Sequence, residues 1–132
     1  MANRFNIKPT REETTQATTA VEVVHVLELK EQEYEAQVVA ATMPVVLDFY
    51  GADSKPCEAL APRYAAVAEK FAGKVRFLKA SHLRNPALAA RLGITAAPTV
   101  VFFKNGQELG ERLSGAEILR TALKARVEAL LA

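Results

Sequence analysis

The chain has 132 residues, half of them hydrophobic, and its 17 basic and 15 acidic residues give a formal net charge of +2. A chain of this size and composition folds as one domain around a single core. Because the small positive excess forms no basic block, we expect neither a nucleic-acid partner nor binding to an anionic membrane. The single cysteine excludes an internal disulfide bond.

The N-terminal stretch, residues 1–20, carries threonines and charges but few apolar side chains. We therefore predict a flexible arm ahead of a domain spanning residues 21–132, with a segment packed on that domain as the alternative. The first ten residues lack the apolar centre of a signal peptide, and no apolar run has the length of a membrane span. We expect a cytoplasmic monomer, although removal of a leader would leave a similar sequence.

Hydrophobic patterning along the domain predicts alternating strands and helices. Strands are expected at 21–29, 44–50, 75–80, 99–103 and 107–113, and helices at 30–41, 56–71, 86–93 and 116–131. This order predicts an α/β layered domain with parallel crossovers first and an antiparallel edge last.

Local signals mark the ends and faces of several elements. Asn85 is a predicted N-cap, and Asn105-Gly106 is a typical two-residue hairpin turn. Pro62 inside the longest helix predicts a kink. The last helix is expected to bury one stripe, formed by Leu119, Leu123, Val127 and Leu130.

The stretch from Pro44 to Cys57 reads Pro-Val-Val-Leu-Asp-Phe-Tyr-Gly-Ala-Asp-Ser-Lys-Pro-Cys. It predicts a buried strand, a tight loop and a helix start. Asp48 lies within the apolar run, where an ionised carboxylate is costly unless it is paired or protonated. Cys57 falls in the first helical turn, at the positive end of the helix dipole. With Ser54 three residues earlier, these residues form a candidate site.

Two motifs in this chain resemble those of the thioredoxin family. Asp-Phe-Tyr followed by Ser-Lys-Pro-Cys resembles its Asp-Phe-Trp and Cys-Gly-Pro-Cys, and Ala97-Pro98-Thr99 resembles its cis-proline loop. The resemblance covers about residues 23–131 and implies the thioredoxin fold, a central mixed β-sheet flanked by helices that ends in a hairpin and a C-terminal helix. The chain departs from the family pattern at Ser54, Asp53 and Lys55, which replace a cysteine, a tryptophan and a glycine.

The serine at position 54 bears most directly on activity. Disulfide reduction by this family needs two thiols, the first to attack and the second to resolve the mixed disulfide. With Ser54 in the first position, we expect protein-disulfide oxidoreductase activity to be absent or weak. No motif links His25 or His82 to this serine as a base. Ser54 suits a helix N-cap whose oxygen accepts from the backbone N–H of Cys57.

The resemblance also suggests roles for the other polar residues. It implies that Cys57 is a shielded resolving thiol with little reactivity; the alternative is an accessible thiol that forms mixed disulfides with glutathione or a partner. Asp48 would handle the proton of this thiol, with Lys79 as its buried, charge-stabilising partner. The alternative is a core polar pair without chemistry. We expect no cofactor and no metal, because one cysteine and two scattered histidines give no ligand spacing.

A peptide-binding surface is implied around the proline loop. Pro98 would face the loop that ends at Cys57, and the backbone of Ala97 would pair with an extended peptide. Asp53 is either a solvated acid that helps to cap the helix or, beside Lys55, a residue that disfavours acidic peptides.

Three functions follow from this sequence. The first is a protein that binds protein or peptide partners through the proline loop without dithiol chemistry. The second is a monothiol redox protein that uses Cys57, and the third is an ordinary thioredoxin whose first cysteine was changed to serine in the laboratory.

Overall fold

The structure, a computed structural model, describes residues 25–52, 54–115 and 117–132, so the predicted arm at 1–20 lies outside the described residues. Within these ranges the strands are β1 (Leu27–Glu28), β2 (Val45–Tyr50), β3 (Arg76–Ser81), β4 (Thr99–Lys104), β5 (Gln107–Glu108) and β6 (Leu113–Ser114). The α-helices are α1 (Lys55–Lys70), α2 (Pro86–Leu92) and α3 (Arg120–Leu131).

The strands form one mixed sheet in the order β1-β3-β2-β4-β5, and β6 also pairs with β4. β3 is parallel to both β1 and β2, whereas β4 is antiparallel to β2, β5 and β6. In the centre of the sheet Leu47 is paired with Leu78 on one side and Val101 on the other. The parallel crossovers and the antiparallel edge confirm the predicted mixed sheet.

Each face of the sheet carries its own hydrophobic core. One core packs α1 and α3 against the sheet and includes Leu60, Tyr64, Val67, Leu123, Val127, Val46 and Phe102. The other packs α2 and the turn before β2 against the opposite face and includes Tyr34, Val38, Leu88, Leu47, Phe49 and Phe103. Because side chains alternate along a strand, Val46 and Asp48 face α1 whereas Leu47 and Phe49 face α2.

Helix α1 joins the sheet to the candidate site. It runs through Pro62 without interruption, and its apolar residues at helical spacing are buried as predicted. The Tyr64 hydroxyl lies 2.9 Å from the carbonyl oxygen of Val46 and 2.6 Å from that of Leu78. These contacts connect the middle of the helix to the two central strands.

The predicted helix at 30–41 is wrong as a single α-helix. The chain forms a 3-10 turn at Glu31–Glu33 and a π-helical turn at Glu35–Val39. At the start of this segment the Glu31 N–H, which has no partner within the helix, donates to Asn85 Oδ1 at 2.8 Å. The predicted inner residues Tyr34 and Val38 are nevertheless buried.

That contact also changes the predicted cap of α2. Asn85 occupies the N-cap position but its side chain makes no cap hydrogen bond; its Nδ2 donates to the Ser81 carbonyl at 2.9 Å. The carboxylate of Glu31 instead accepts from the Leu88 N–H at 3.1 Å. The cap is therefore supplied by a residue distant in sequence.

Two other boundaries differ from the prediction, and one is confirmed. The strand expected at 107–113 divides into β5 and β6 around Gly110, which has a φ of 77°. Helix α3 begins at Arg120, and Leu119 is 49% exposed while Ile118 is buried. The hairpin turn is confirmed, with positive φ at both Asn105 and Gly106.

Within the described residues the first strand is shorter than predicted. β1 covers Leu27–Glu28 of the predicted 21–29, and residues 21–24 lie outside the described residues. Across the described ranges, no helix combines the length and the apolar character needed to cross a membrane.

Candidate functional site

The loop between β2 and α1 brings Ser54 and Cys57 together at the start of the helix. Ser54 is the N-cap, with extended backbone angles of −102° and 122°, and its hydroxyl accepts from the Cys57 N–H at 3.4 Å. Pro56 lies in the first helical turn, where its missing N–H costs nothing. The predicted capping bond is confirmed, so the Ser54 hydroxyl has a structural role at the start of the helix.

Cys57 places its thiol against the end of β2. The side chain is half-buried, and the Gly51 N–H donates to its sulfur at 3.3 Å. The thiol is therefore neither fully shielded nor fully accessible. The loop holds it through the Gly51 N–H, but the side chain is not buried in the core.

Asp48 is a buried acid with unmet hydrogen-bonding capacity. Its side chain is 6% exposed, and among the described residues its Oδ1 has no hydrogen-bond partner. Burial raises the pKa of this carboxyl to about 7, against a smaller lowering by the nearby Lys79 ammonium. Asp48 therefore keeps its proton to a higher pH than an ordinary aspartate does.

Lys79 lies beside this acid but differs from the buried partner that the resemblance implied. The two residues are paired in the parallel register of β2 and β3. Lys79 is half-buried, and its Nζ is 5.6 Å from the centroid of the Tyr50 ring. Within the described ranges, Asp48 and Lys79 do not meet as an ion pair, so the lysine acts on the acid over a longer distance.

A cavity of about 600 Å³ lies behind the helix start and brings these groups together. Cys57, Asp48 and Lys79 all line it, together with Tyr50, Gly51, Glu58, small side chains of α1 and residues next to β1. Three of the four residues predicted as catalytic therefore share one cavity. The Ser54 hydroxyl is directed to the helix N-terminus.

The proline loop lies next to Gly51, in the loop before the helix start. The Ala97–Pro98 peptide is cis, Pro98 is buried and Ala97 is half-buried. A Cβ built on Gly51 would lie 3.3 Å from the Ala97 Cβ, so the two loops are in near contact. Thr99 Oγ1 donates to the Ala96 carbonyl at 2.6 Å and braces the loop.

The other two residues predicted for the peptide surface are only partly described. Lys55 is the first residue of α1 and is exposed, at the end of the loop that follows Gly51. Asp53 lies outside the described residues, so its predicted role stays a prediction.

One polar contact beside the site was missed from the sequence. The Tyr50 hydroxyl lies 3.1 and 2.9 Å from the two carboxylate oxygens of Glu28. Burial and this carboxylate raise the pKa of Tyr50 to about 12, so the phenol stays protonated and keeps donating. The alternation of strand residues places Tyr50 on the same face as Asp48, but no sequence signal pairs it with Glu28.

Comparison with known proteins gives a consistent result. Residues 7–129 match the Thioredoxin family model. The chain is 37% identical to a thioredoxin of Haemophilus influenzae over 62% of this chain and 77% of that protein. It is 34% identical to the chloroplastic thioredoxin M4 of Arabidopsis thaliana over 88% of this chain and 58% of that protein.

A solved structure supports the same assignment of the fold. The crystal structure of Malassezia sympodialis thioredoxin superposes with a TM-score of 0.71 at 31% sequence identity. The match covers 81% of this chain and 91% of that one. The mixed sheet flanked by helices is therefore the thioredoxin fold.

Proposed function

This chain belongs to the thioredoxin family, and we propose that it binds partner polypeptides beside Pro98 without carrying out dithiol–disulfide exchange. The observation that carries the proposal is that Cys57 is the only cysteine of the chain. Exchange through two thiols needs a second sulfur to resolve the mixed disulfide. Ser54 has no such chemistry, and its hydroxyl caps the helix.

The geometry of the proline loop supports peptide binding that is independent of the thiol. No backbone hydrogen bond engages Ala97 among the described residues, while Thr99 holds the preceding turn through Ala96. A half-buried backbone segment of this kind offers hydrogen bonds to an extended chain. Exposed Lys55 adds a positive charge at the neighbouring helix start and favours peptides without nearby basic residues.

A trapping experiment tests this surface. Ser54→Cys combined with Cys57→Ala places the only thiol at the helix start, opposite the proline loop. The probe is a peptide whose single cysteine is activated as a thiopyridyl disulfide, compared with the same peptide N-methylated beside that cysteine. We expect the unmethylated peptide to react about tenfold faster, because one or two backbone hydrogen bonds are worth roughly that factor.

The matched control is Ala59→Cys combined with Cys57→Ala. Ala59 is exposed on the same helix and does not line the cavity. The two peptides should react at the same rate with this control. Equal rates at position 54 as well would contradict the proposed peptide surface.

A second candidate function is monothiol exchange at Cys57. The half-buried sulfur lines a cavity that also contains Asp48 and Lys79. A small reagent that enters this cavity can therefore reach the thiol. Modification of Cys57 in the folded chain by a small disulfide, measured from the intact mass, tests this candidate. A thiol that reacts only after unfolding would exclude it.

A further inference from the structure

The cavity behind the helix start is separate from the peptide surface at Pro98. It lies between α1 and the strands β2 and β3, and the wall formed by α1 includes the small side chains of Ala61, Ala65 and Ala66. Its volume of about 600 Å³ falls within the range of small-molecule sites. The size of the cavity therefore suits a compact ligand.

Two independent features of its lining indicate a ligand. Cys57 supplies a nucleophilic sulfur at one end. Asp48, more than nine-tenths buried, lines the same cavity and has an oxygen without a hydrogen-bond partner among the described residues. Because a buried carboxyl without partners is costly, a ligand that donates hydrogen bonds would relieve a cost that the protein alone leaves in place.

The charges of the lining favour a cation. The exposed carboxylates of Glu58 and Glu69 line the cavity together with Asp48, whose pKa is raised by burial, against the ammonium of Lys79 and the imidazole of His25. That ammonium lies over the Tyr50 ring and forms no ion pair within the described ranges. The acidic lining would repel an anionic ligand, whereas it would attract a ligand with an ammonium group.

We infer that this cavity binds low-molecular-weight disulfides that carry an ammonium group, and that Cys57 forms a mixed disulfide with them. The sulfur of Cys57 attacks one sulfur of the ligand, so the S–H bond of Cys57 and the S–S bond of the ligand break. One new S–S bond forms at Cys57, and the proton ends on the released aminothiol. Cys57 is oxidised by the ligand disulfide, which is itself reduced, and no other oxidant takes part.

This inference rests on the monothiol candidate and not on peptide binding at Pro98. The two are separable, because the trapping variants lack Cys57 and the experiment below leaves the proline loop unchanged.

The test compares two disulfides of similar size and opposite charge on the full chain. Cystamine carries two ammonium groups and 3,3′-dithiodipropionate carries two carboxylates, and intact mass gives the rate at which each modifies Cys57. Dividing each rate by that of the chain unfolded in urea removes the difference in leaving-thiol pKa. We expect the corrected rate for cystamine to be about tenfold higher, because local charge raises association rates by that order.

Substitutions within the cavity make the test specific. Ala65→Leu fills the cavity and should bring the corrected cystamine rate down to that of the dipropionate. Ala59→Leu, an exposed change on the same helix, should leave the preference intact. Glu58→Gln with Glu69→Gln alters only exposed side chains and should also reduce the preference.

The outcomes separate the possible failures. Glu128→Gln on α3 is the charge control and should change nothing. Equal corrected rates in the wild type, or a preference that survives both Ala65→Leu and the paired glutamine changes, would overturn the inference while leaving monothiol exchange possible. A Cys57 that reacts with neither reagent before unfolding would overturn both.

Discussion

At the scale of single residues, Asp48 makes the stability of the protein depend on pH. Its pKa is about 7 in the folded chain against 3.8 for an ordinary aspartate, because burial disfavours the charged form. Between about pH 4 and pH 7 the folded chain therefore binds a proton that the unfolded chain has lost. The resulting stability is fully present below the unfolded pKa and is lost as the pH rises through the folded value.

Asp48→Asn is expected to remove this dependence. The stability of the variant relative to the wild type should rise by about 2–3 kcal/mol between pH 5 and pH 8, since over this range the folded wild type loses its bound proton and must hold a buried charge. At pH 5 the difference should be smaller, because the folded wild type still holds this proton. Urea denaturation at both pH values measures this, with Glu128→Gln as an exposed control, and an equal difference at the two pH values would contradict it.

Part of the site could be predicted from the sequence residue by residue. Ser54, Cys57 and Asp48 lie within one short stretch, so their shared location follows from one strand, one loop and one helix start. The absence of an ion pair between Lys79 and Asp48 could not be predicted, because the side chain of a half-buried lysine can point toward several partners. Here it lies over Tyr50, a contact set by three-dimensional packing.

At the scale of elements, Tyr64 fixes α1 to the two central strands. Its side chain is 2% exposed, and its hydroxyl lies within hydrogen-bond distance of carbonyls on both β2 and β3. The helical spacing of apolar residues predicted that Tyr64 is buried but gave no partner for its hydroxyl.

Tyr64→Phe should lower the free energy of unfolding by about 1–2 kcal/mol, because a buried hydrogen bond is lost with no water to replace it. Tyr50→Phe is the matched control, since its hydroxyl bonds an exposed carboxylate, and should cost less than about 1 kcal/mol. Urea denaturation measures both, and equal losses would show that the buried contact has no special weight.

The elements also show where sequence prediction failed and why. The boundaries of four elements, β2, β3, β4 and α1, were predicted within one or two residues. Each of them has a local and uninterrupted pattern of apolar residues. The stripe in α3 was wrong at Leu119 because this residue is the N-cap and has extended backbone angles, so helical periodicity does not apply to it. Asn85 is the N-cap of α2 as predicted, but its side chain makes no cap hydrogen bond, and the Leu88 N–H donates instead to Glu31, more than fifty residues away.

At the scale of the whole molecule, the thioredoxin fold brings two surfaces to one helix start. The proline loop approaches Gly51, and Gly51 also lines the cavity that contains Asp48, Lys79 and Cys57. We infer that this arrangement retains a framework for thiol exchange from which only the first sulfur is missing.

Reduction of insulin disulfides tests this claim most directly. The wild type, Ser54→Cys and Ser54→Ala are compared with a limiting chemical reductant, and Ser54→Ala controls for loss of the helix cap. We expect Ser54→Cys to accelerate insulin reduction while the other two remain at the background rate. A wild type that reduces insulin as fast as Ser54→Cys, or a Ser54→Cys variant that stays at background, would contradict the claim.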